Sequence, residues 1–443
     1  MRAPAQHHRL SISPRYLLSC ALSLLGNSVA GVILPLILLA TTGDALAAGT
    51  LALICALPQF VIGLVGGALV DRFNRRNISI ASDILSAASV AALPVVDAIW
   101  GLSFGWFVAL GLIGAIGDIP GMTARDALLP AVCEREGRSL QKFMGLTQAL
   151  DSLVVIIGPA LAAFLMTVVG DASALWFTAA MSLLAALVTL TLPRSIGNVN
   201  GGIECEIENN PANSQDGSSK AEDPHRPARV GAAAIASDAK RSLIAGIRVL
   251  FKSDALLRSS LLLTFGIVMI MGSFQGLVLP VHFTAADTPE LLGYVLSAMS
   301  VGMLISSLAY SVLAHRMRRR SWFVLSLTGM ALSLLIMGLL PDFPLLIAGA
   351  LLLGLSAGPA SALLGFFVFD RIPAENRGAA LGTQNSLMLV AAPVAVFVTS
   401  AIVEAWGEFV AGFVLIVLWI SVTLWALVTP NLRRLDDVDS EKG

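Results

Sequence analysis

Long apolar stretches separated by short polar ones make up most of the chain. Roughly 20 consecutive apolar residues are needed to span a bilayer as a helix, and twelve segments meet this length. They lie at 15–40, 47–70, 77–97, 103–124, 143–168 and 173–192 and, after a polar gap, at 256–283, 289–314, 321–340, 344–369, 379–403 and 407–430. The pattern predicts an all-α membrane protein with twelve transmembrane helices in two pseudo-symmetric sets of six.

The polar gap divides the chain into two halves. We expect an N-terminal half at 1–193, a linker at 194–254, a C-terminal half at 255–430 and a tail at 431–443. Residues 194–240 are rich in Asn, Ser, Gly, Pro, Glu and Lys, which predicts a disordered cytoplasmic linker. From Ser237 to Lys252 apolar residues recur at helical spacing. This favours an amphipathic helix on the membrane surface, with a frayed extension of helix 7 as the alternative.

Basic residues follow a strict asymmetry along this pattern. The odd-numbered connections contain acids such as Asp44 and Asp97 but no Lys or Arg, which lie in the termini, the even-numbered connections and the middle loop. Basic connections are retained on the cytoplasmic side. We therefore expect a multi-pass protein of the cell (inner) membrane with both termini cytoplasmic.

Composition excludes several classes of protein. The 443 residues are 56% hydrophobic and 13% charged, whereas soluble domains average about 25% charged residues. The net charge of -1 argues against a nucleic-acid partner. The chain has no G-x-x-x-x-G-K-[ST] phosphate-binding motif, metal cluster or catalytic triad pattern. We expect neither an enzyme nor a cofactor.

The two halves carry the same landmarks in the same order. Gly31–Pro35 returns as Gly276–Pro280, and Pro159 returns as Pro393. The arginines that follow the second helix of each half are also spaced alike: Arg72, Arg75 and Arg76, then Arg316, Arg319 and Arg320. Six helices per half give parallel repeats. In transporters built this way the substrate binds near the midplane between the halves, and the halves rock to give alternating access.

The segment from Gly66 to Arg76 begins as apolar helix and ends in an arginine cluster, with an acid between them. It resembles the signature of the major facilitator superfamily, G-x-L-x-D-R-x-G-R-R, and the resemblance covers nearly the whole chain. The matching residues are Gly67, Leu69, Asp71, Arg72, Arg75 and Arg76, while Asn74 replaces a glycine. Asn tolerates left-handed backbone, so we expect the turn to survive.

The resemblance implies a cytoplasmic latch. In the family, the Asp of this signature meets the start of helix 11, expected here near Gly378, and the Arg meets a nearby acid. For Arg72 we prefer Asp83 over Asp126, because an unpaired acid in an apolar run is costly. The alternative is a basic loop that serves only topology, with Asp71 solvated. His315 stands where the second repeat would carry this acid.

Two further features resemble exporters of this family. Gly158-Pro159 matches part of the helix 5 signature, although Ala162 and Ala163 replace the glycines expected after it. The phrase Ala124-Arg125-Asp126-Ala127-Leu128-Leu129-Pro130 resembles the branch that contains macrolide-efflux proteins and the enterobactin exporter. The resemblance implies export.

Asp118 and Asp151 are the candidate proton-coupling residues. Both lie in apolar helices, where an acid can bind and release a proton during a transport cycle. The alternative is a hydrogen-bonded acid that shapes the bundle. No basic residue is expected at the depth of Asp118, so the sequence predicts no arginine partner for it within helix 4.

Polar residues in helices 1, 7 and 11 are candidates for the substrate cavity: Asn27, Ser28, Gln275, Gln384 and Asn385. They are suited either to binding substrate or to joining helices. Nearby Met and Phe residues suit amphipathic ligands but equally suit a core or a lipid-facing surface. They are Phe60, Met269, Met271, Phe274, Phe366, Phe367 and Phe369.

The sequence predicts a secondary active transporter that exports small amphipathic organic molecules, drug-like or siderophore-like, in exchange for protons. We expect a monomer in the lipid bilayer. The alternative is a specific metabolite or siderophore transporter of the same fold, working in either direction. A more remote alternative is a transport-inactive membrane sensor.

Overall fold

The structure is a computed structural model, and it describes residues 11–70, 73–138, 140–198, 247–248, 250, 255–313, 316–371 and 377–429. At some helical positions, 63–70 among them, the description covers the backbone only.

Twelve helices in the described part of the chain are long and apolar enough to cross a membrane, as the sequence predicts. In the N-terminal half they are α1 (Ile12–Thr42), α2 (Ala45–Val70), α3 (Arg75–Trp100), α4 (Phe104–Glu136), α5 (Leu140–Val169) and α6 (Asp171–Leu190). In the C-terminal half they are α7 (Ala255–Ala285), α8 (Leu291–Leu313), α9 (Arg319–Gly338), α10 (Phe343–Arg371), α11 (Arg377–Trp406) and α12 (Glu408–Val428).

The connections alternate between two sides of the bundle. We call the side that holds the α2–α3, α4–α5 and α8–α9 connections the basic side, and the opposite side the acidic side. On the acidic side, Gly43 ends α1 with a φ of 63°, a left-handed conformation that suits glycine. There the His282 ring of α7 also lies 3.3 Å from the Glu408 carboxylate at the start of α12.

Helix α4 is longer than its apolar run. It continues from Phe104 to Glu136, beyond the end predicted at residue 124, and Gly137 closes it with a φ of 63°. The prediction placed Arg125 outside the helix because a charge normally ends an apolar segment. The Arg125 side chain is instead buried and paired, so it does not need to leave the bundle.

The extended end of α4 fastens the start of α1. The Glu136 carboxylate accepts hydrogen bonds from the Ser11 hydroxyl at 2.7 Å and the Ser13 amide at 3.0 Å. The Ile12 amide and the Ser13 hydroxyl also contact it. A carboxylate at a helix N-terminus satisfies unpaired amides and favours the helix dipole. This interaction holds the basic ends of α1 and α4 together.

The halves meet mainly where α2 packs on α11 and where α5 packs on α8. Gly49 lies against Ser400, and Gly293 lies against Pro159. The Ser297 hydroxyl donates a hydrogen bond to the Ile156 carbonyl at 2.8 Å. Because Gly49 and Gly293 lie in the first turns of α2 and α8, these contacts lie toward the acidic side.

Of the predicted amphipathic stretch, only Ile247, Arg248 and Leu250 are described. All three are helical; Leu250 is fully buried, while Ile247 and Arg248 are exposed. The rest of that prediction, and residues 199–246 of the linker, lie outside the described residues.

Candidate transport site

A buried ion pair lies inside the N-terminal half. Asp83 of α3 is 3% exposed and Arg125 of α4 is 9% exposed. A guanidinium Nη2 of Arg125 contacts Oδ1 of Asp83, which also accepts a hydrogen bond from the Ser23 hydroxyl of α1 at 3.0 Å. Three helices therefore converge on one carboxylate. Ionisable groups inside a membrane bundle are costly and by default functional candidates.

The pair is only partly satisfied. Within the described residues, Oδ2 of Asp83 and Nε of Arg125 are buried and have no hydrogen-bond partner. Tyr16 of α1 donates from its hydroxyl to the Arg125 backbone carbonyl at 3.0 Å. The backbone of Arg125 is thus held in place. The Nε of Arg125 and the Oδ2 of Asp83 can each still form a hydrogen bond. A half-satisfied polar cluster stabilises a fold poorly and is suited to a change of partners.

Asp118 lies beside this pair. It is half-buried on α4, seven residues before Arg125 and so on the same face of the helix. The charges of Arg125 and Asp83 both act on its carboxylate, and the Ser86 side chain of α3 interacts with it. Arg125 therefore contacts one acid, Asp83, and acts electrostatically on a second, Asp118.

The predicted absence of an arginine partner for Asp118 within helix 4 stays a prediction, since Arg125 lies inside α4 but forms its described ion pair with Asp83. The prediction ended the helix before Arg125, which placed the guanidinium in the loop. The seven-residue spacing between Asp118 and Arg125 was the available signal, since residues two turns apart share a helix face. Ser23 and Tyr16, two polar residues in an apolar helix, carried no comparable signal.

Asp151 occupies a different part of the same end of the bundle. It is half-buried on α5, and its charge acts on Asp126 of α4 and on Cys20 of α1. Asp118 is thus coupled electrostatically to Asp83 and Arg125, and Asp151 is coupled to Asp126.

The predicted latch falls largely outside the described part of the chain. Asp71 and Arg72 are not described, and for Gly67 the backbone of α2 alone is described. The contact of Asp71 with the start of α11 and the contact of Arg72 with Asp83 therefore stay predictions. The described partners of Asp83 are Arg125 and Ser23.

The other two arginines of the signature join helices within the N-terminal half. Arg76 is 5% exposed and donates to the carbonyls of Thr189 at 3.2 Å and Leu190 at 2.5 Å, in the last turn of α6. Arg75 donates to the Ala127 carbonyl of α4 at 3.1 Å. A cation at a helix C-terminus satisfies the last carbonyls and complements the dipole. These contacts tie α3 to α6 and α4.

Asn74 does not adopt the left-handed backbone that the sequence predicted. Its φ is -61° and its ψ is 114°, and its side chain accepts from the Asn77 amide to cap α3. The side-chain amide also donates to the Arg194 carbonyl at 3.0 Å and to the Asn198 side chain at 2.7 Å. Capping and these side-chain contacts, which glycine cannot make, explain the asparagine at this position.

The Gly158-Pro159 pair forms two tight contacts. A Cβ on Gly158 would lie 2.1 Å from the Ser28 hydroxyl of α1, so α1 and α5 touch at this glycine. A Cβ on Gly293 of α8 would lie 2.0 Å from the Pro159 carbonyl. One dipeptide therefore joins α5 to its own half and to the other half. Ser28, a cavity candidate, lies at the first of these contacts.

The remaining cavity candidates differ in their surroundings. Gln275 is half-buried in a π-helical segment, Phe274–Val278, within α7, and such segments are frequent at functional sites. The side-chain oxygen of Gln384 is buried without a partner in the described residues. Asn27 is half-buried and Asn385 is exposed.

Among the predicted cavity aromatics, Phe274 and Phe367 are fully buried and belong to the hydrophobic core. Phe60, Met269 and Met271 are half-buried. The side chains of Phe366 and Phe369 are not described.

No group of three or more His, Cys, Asp or Glu side chains suited to a metal ion is found in the described residues.

The comparisons with known proteins agree with this architecture. The family model of the Major Facilitator Superfamily matches residues 16–284 and 261–442. Multidrug efflux pump Tap of Mycolicibacterium fortuitum is 28% identical over 416 residues, covering 93% of this chain and 94% of that protein. Macrolide efflux protein A of Streptococcus pyogenes is 25% identical over 394 residues, covering 87% and 88%.

Among solved structures, the crystal structure of nucleoside transporter NupG superposes with a TM-score of 0.69 at 11% identity. The superposition covers 94% of this chain and 98% of that chain. At this identity the likeness supports the fold alone.

Proposed function

The chain belongs to the major facilitator superfamily, a family of membrane transporters, and we propose that it exports small amphipathic organic molecules in exchange for protons. The observation that carries this proposal is the match to multidrug and macrolide efflux proteins over most of both chains. Both termini face the cytosol in this proposal, so the Asp83–Arg125 pair lies nearer the cytoplasmic surface.

Proton coupling rests on the arrangement around Arg125. When Asp118 is ionised, Arg125 is shared between two carboxylates. When a proton binds Asp118, that carboxylate becomes neutral, and the arginine interacts with Asp83 alone. Asp83 is part of α3, and its carboxylate contacts Arg125 of α4 and Ser23 of α1. A change in this pairing therefore alters how the three helices are held together.

Asp151 offers a second proton site on α5. This helix also carries the contact with α8 of the other half, so protonation there would act close to the boundary that alternating access must open. The buried side-chain oxygen of Gln384 has no hydrogen-bond partner among the described residues. This supports a place for Gln384 in the substrate cavity, where its oxygen can accept a hydrogen bond.

Two amide variants test the coupling. In proteoliposomes with an imposed pH gradient, Asp118→Asn and Asp151→Asn are assayed for gradient-driven substrate accumulation and for exchange without a gradient. We expect the coupling variant to lose the driven transport and keep the exchange. Asp97→Asn, an exposed acid on the acidic side, is the matched control. If both Asp118→Asn and Asp151→Asn keep the pH dependence of the wild type, neither acid is the coupling site.

The substrate class is tested by expression in a bacterial strain that lacks its own pumps. We expect raised resistance to several unrelated amphipathic drugs, and dye efflux that stops when the proton gradient is collapsed. No protection against any compound, together with flux of one specific metabolite or siderophore, would refute multidrug export. A complete absence of flux in proteoliposomes would point to the membrane sensor.

The latch is tested at Asp71. We propose that its carboxylate is favoured at the N-terminus of α11, where the helix dipole is positive, and that it holds the halves together. Asp71→Asn is expected to cripple transport while membrane insertion and the amount of folded protein stay unchanged. Full transport activity in this variant would leave the loop with a role in topology only.

A further inference from the structure

An open groove runs along α9 on the basic side of the C-terminal half. It has a volume of about 440 Å³ and is lined by Met317, Arg320, Ser321, Val324, Leu325 and Thr328. From Arg320 onward these residues form two adjacent rows with a spacing of four positions, 320/324/328 and 321/325, and so they make one stripe along the helix. The opposite face of α9 packs into the core through Phe323 and Leu327. The groove therefore lies on the outer surface of the bundle.

The upper end of this groove is strongly basic. Arg316, Arg318 and Arg320 are exposed and lie within five positions at the start of α9. The residue at the N-cap position, Arg318, makes no side-chain cap. Helix N-termini attract anions, and guanidinium groups bind phosphate oxygens in a bidentate fashion. Charge and backbone therefore both favour a phosphate group here.

The lower end, at Val324, Leu325 and Thr328, is mostly apolar and lies further along the membrane-spanning segment of α9. Tyr310 of α8 and Trp322 of α9 are in edge-to-face contact with ring centroids 5.4 Å apart. Such aromatic side chains concentrate at the membrane–water interface. This level separates the arginines above from Val324, Leu325 and Thr328 below, in the order in which a phospholipid presents its headgroup and its acyl chain.

The N-terminal half treats the equivalent position differently. Arg76, the repeat counterpart of Arg320, is buried and bonded to the end of α6, and Asn74 caps α3 from within the chain. In α9 the counterpart arginine is exposed beside the groove. The counterpart arginines therefore differ in burial between the two halves.

We propose that this groove binds one anionic phospholipid, with the phosphate on Arg316, Arg318, Arg320 and the Ser321 hydroxyl and an acyl chain along Val324, Leu325 and Thr328. Basic clusters beside a membrane-spanning helix recognise anionic headgroups, and the apolar stripe gives the site a second, non-electrostatic determinant. The site does not depend on which substrate the protein carries.

The test uses the full-length protein, purified in detergent and titrated with phosphatidylglycerol or phosphatidylcholine, with bound lipids counted by native mass spectrometry. We expect one phosphatidylglycerol to bind about ten-fold or more tightly than phosphatidylcholine. The variant with Arg316→Gln, Arg318→Gln and Arg320→Gln is expected to lose this preference. Lysine at the same three positions is expected to keep it, which separates lost binding from altered insertion.

The groove itself is tested with a matched pair of tryptophan substitutions. Leu325→Trp fills the groove and is expected to abolish the tight site. Leu332→Trp lies on the same exposed face two turns further along α9, outside the groove, and is expected to leave it intact. Equal binding of the two lipids by the wild type would overturn the proposal, as would an unchanged preference in the triple glutamine variant or in Leu325→Trp.

Discussion

The two halves of the chain share a six-helix arrangement but place different chemistry at equivalent positions. Asp83 lies eight residues after Arg75 in α3, and the residue eight positions after Arg319 in α9 is Leu327, which is fully buried. Both halves also carry a Pro-Ala dipeptide after the apolar run of the fourth helix, at Pro130-Ala131 and at Pro373-Ala374. Arg125 lies five residues before the first of these and Val368 five residues before the second. The ion pair of one half thus corresponds to two apolar residues in the other.

This difference indicates that the fold does not require the charges. The C-terminal half builds the same helices around Leu327, while the N-terminal half places Asp83, Arg125 and Asp118 inside its bundle. Burying an ion pair seldom stabilises a protein more than apolar residues of similar size. Folding alone therefore does not explain these charges, and this agrees with the role in proton coupling proposed above.

A second comparison concerns the helix contact next to the proline that both halves share, Pro159 and Pro393. In the N-terminal half, Gly158 precedes Pro159 and lies against Ser28 of α1. In the C-terminal half, Ala392 precedes Pro393 and lies against Gly272 of α7, where an added Cβ would be 2.8 Å from that of Ala392. Both halves need one glycine at this contact, and they place it on opposite helices.

The largest expected effect comes from converting the ion pair to its apolar counterparts. Asp83→Leu or Arg125→Val alone leaves one buried charge without its partner and should lower the free energy of unfolding by about 3–5 kcal/mol. The double variant should recover most of that loss while losing proton-driven transport. Unfolding in mixtures of SDS and mild detergent measures the stabilities, and proteoliposomes measure transport.

Simple addition of the two stability losses in the double variant would contradict this expectation. If the loss of unfolding free energy in the double variant equals the sum of the losses in the two single variants, the Asp83–Arg125 ion pair does not contribute to stability. The reciprocal change, Leu327→Asp, buries an acid at a position where no arginine corresponds to Arg125, and it should destabilise the C-terminal half.

A smaller effect is expected at the α1–α5 contact. The Cβ of Gly158→Ala would lie 2.1 Å from the Ser28 hydroxyl, and overpacking of this kind costs about 1–3 kcal/mol. Adding Ser28→Gly should restore most of the stability. The double variant then has glycine on α1 and alanine on α5, just as the C-terminal half has Gly272 on α7 and Ala392 on α11. Thermal unfolding of the purified protein is the measurement.

Gly31→Ala serves as the control for that experiment. Gly31 also lies inside a helix, but nothing is within 4 Å of its added Cβ, so alanine should not reduce stability. If Gly158→Ala is equally harmless, the close approach of α1 and α5 is not a constraint.

The smallest effect compares the two copies of the signature arginine. Arg76→Gln removes hydrogen bonds from a charged group to the end of α6 and should cost about 1.5–3 kcal/mol. Arg320→Gln changes an exposed side chain, whose interactions contribute at most about 1 kcal/mol, so it should cost less stability in detergent without anionic lipid. Equal losses in the two variants would show that both arginines have the same role.

The importance of Asp83 in the site could be predicted from the sequence. Asp83 stands out because an acid in an apolar run must find a partner, and the structure provides one. The identity of the partner could not be read in the same way, since Arg125 lies 42 residues away in another helix. The end of α4 was misplaced for the same reason, because the burial of Arg125 depends on Asp83.

Asn74 shows the same limit on a smaller scale. Its identity permits either a left-handed turn or a helix cap, and local preference does not choose between them. The carbonyl of Arg194 and the side chain of Asn198, which it contacts across the bundle end, are more than 100 residues away along the chain.

The sequence by itself determined the twelve membrane helices, the polar gap between the halves, the repeat and the separation of basic from acidic connections. These features follow from the free energy of transferring each segment from water to lipid. That free energy is close to a sum over the residues of the segment, so it can be read locally from the sequence. The tertiary structure alone decided that Arg125 pairs with Asp83, that Arg76 ends α6 and that Gly158 meets Ser28. Such pairings depend on which helix faces meet and at what depth, and a segment does not carry that information on its own.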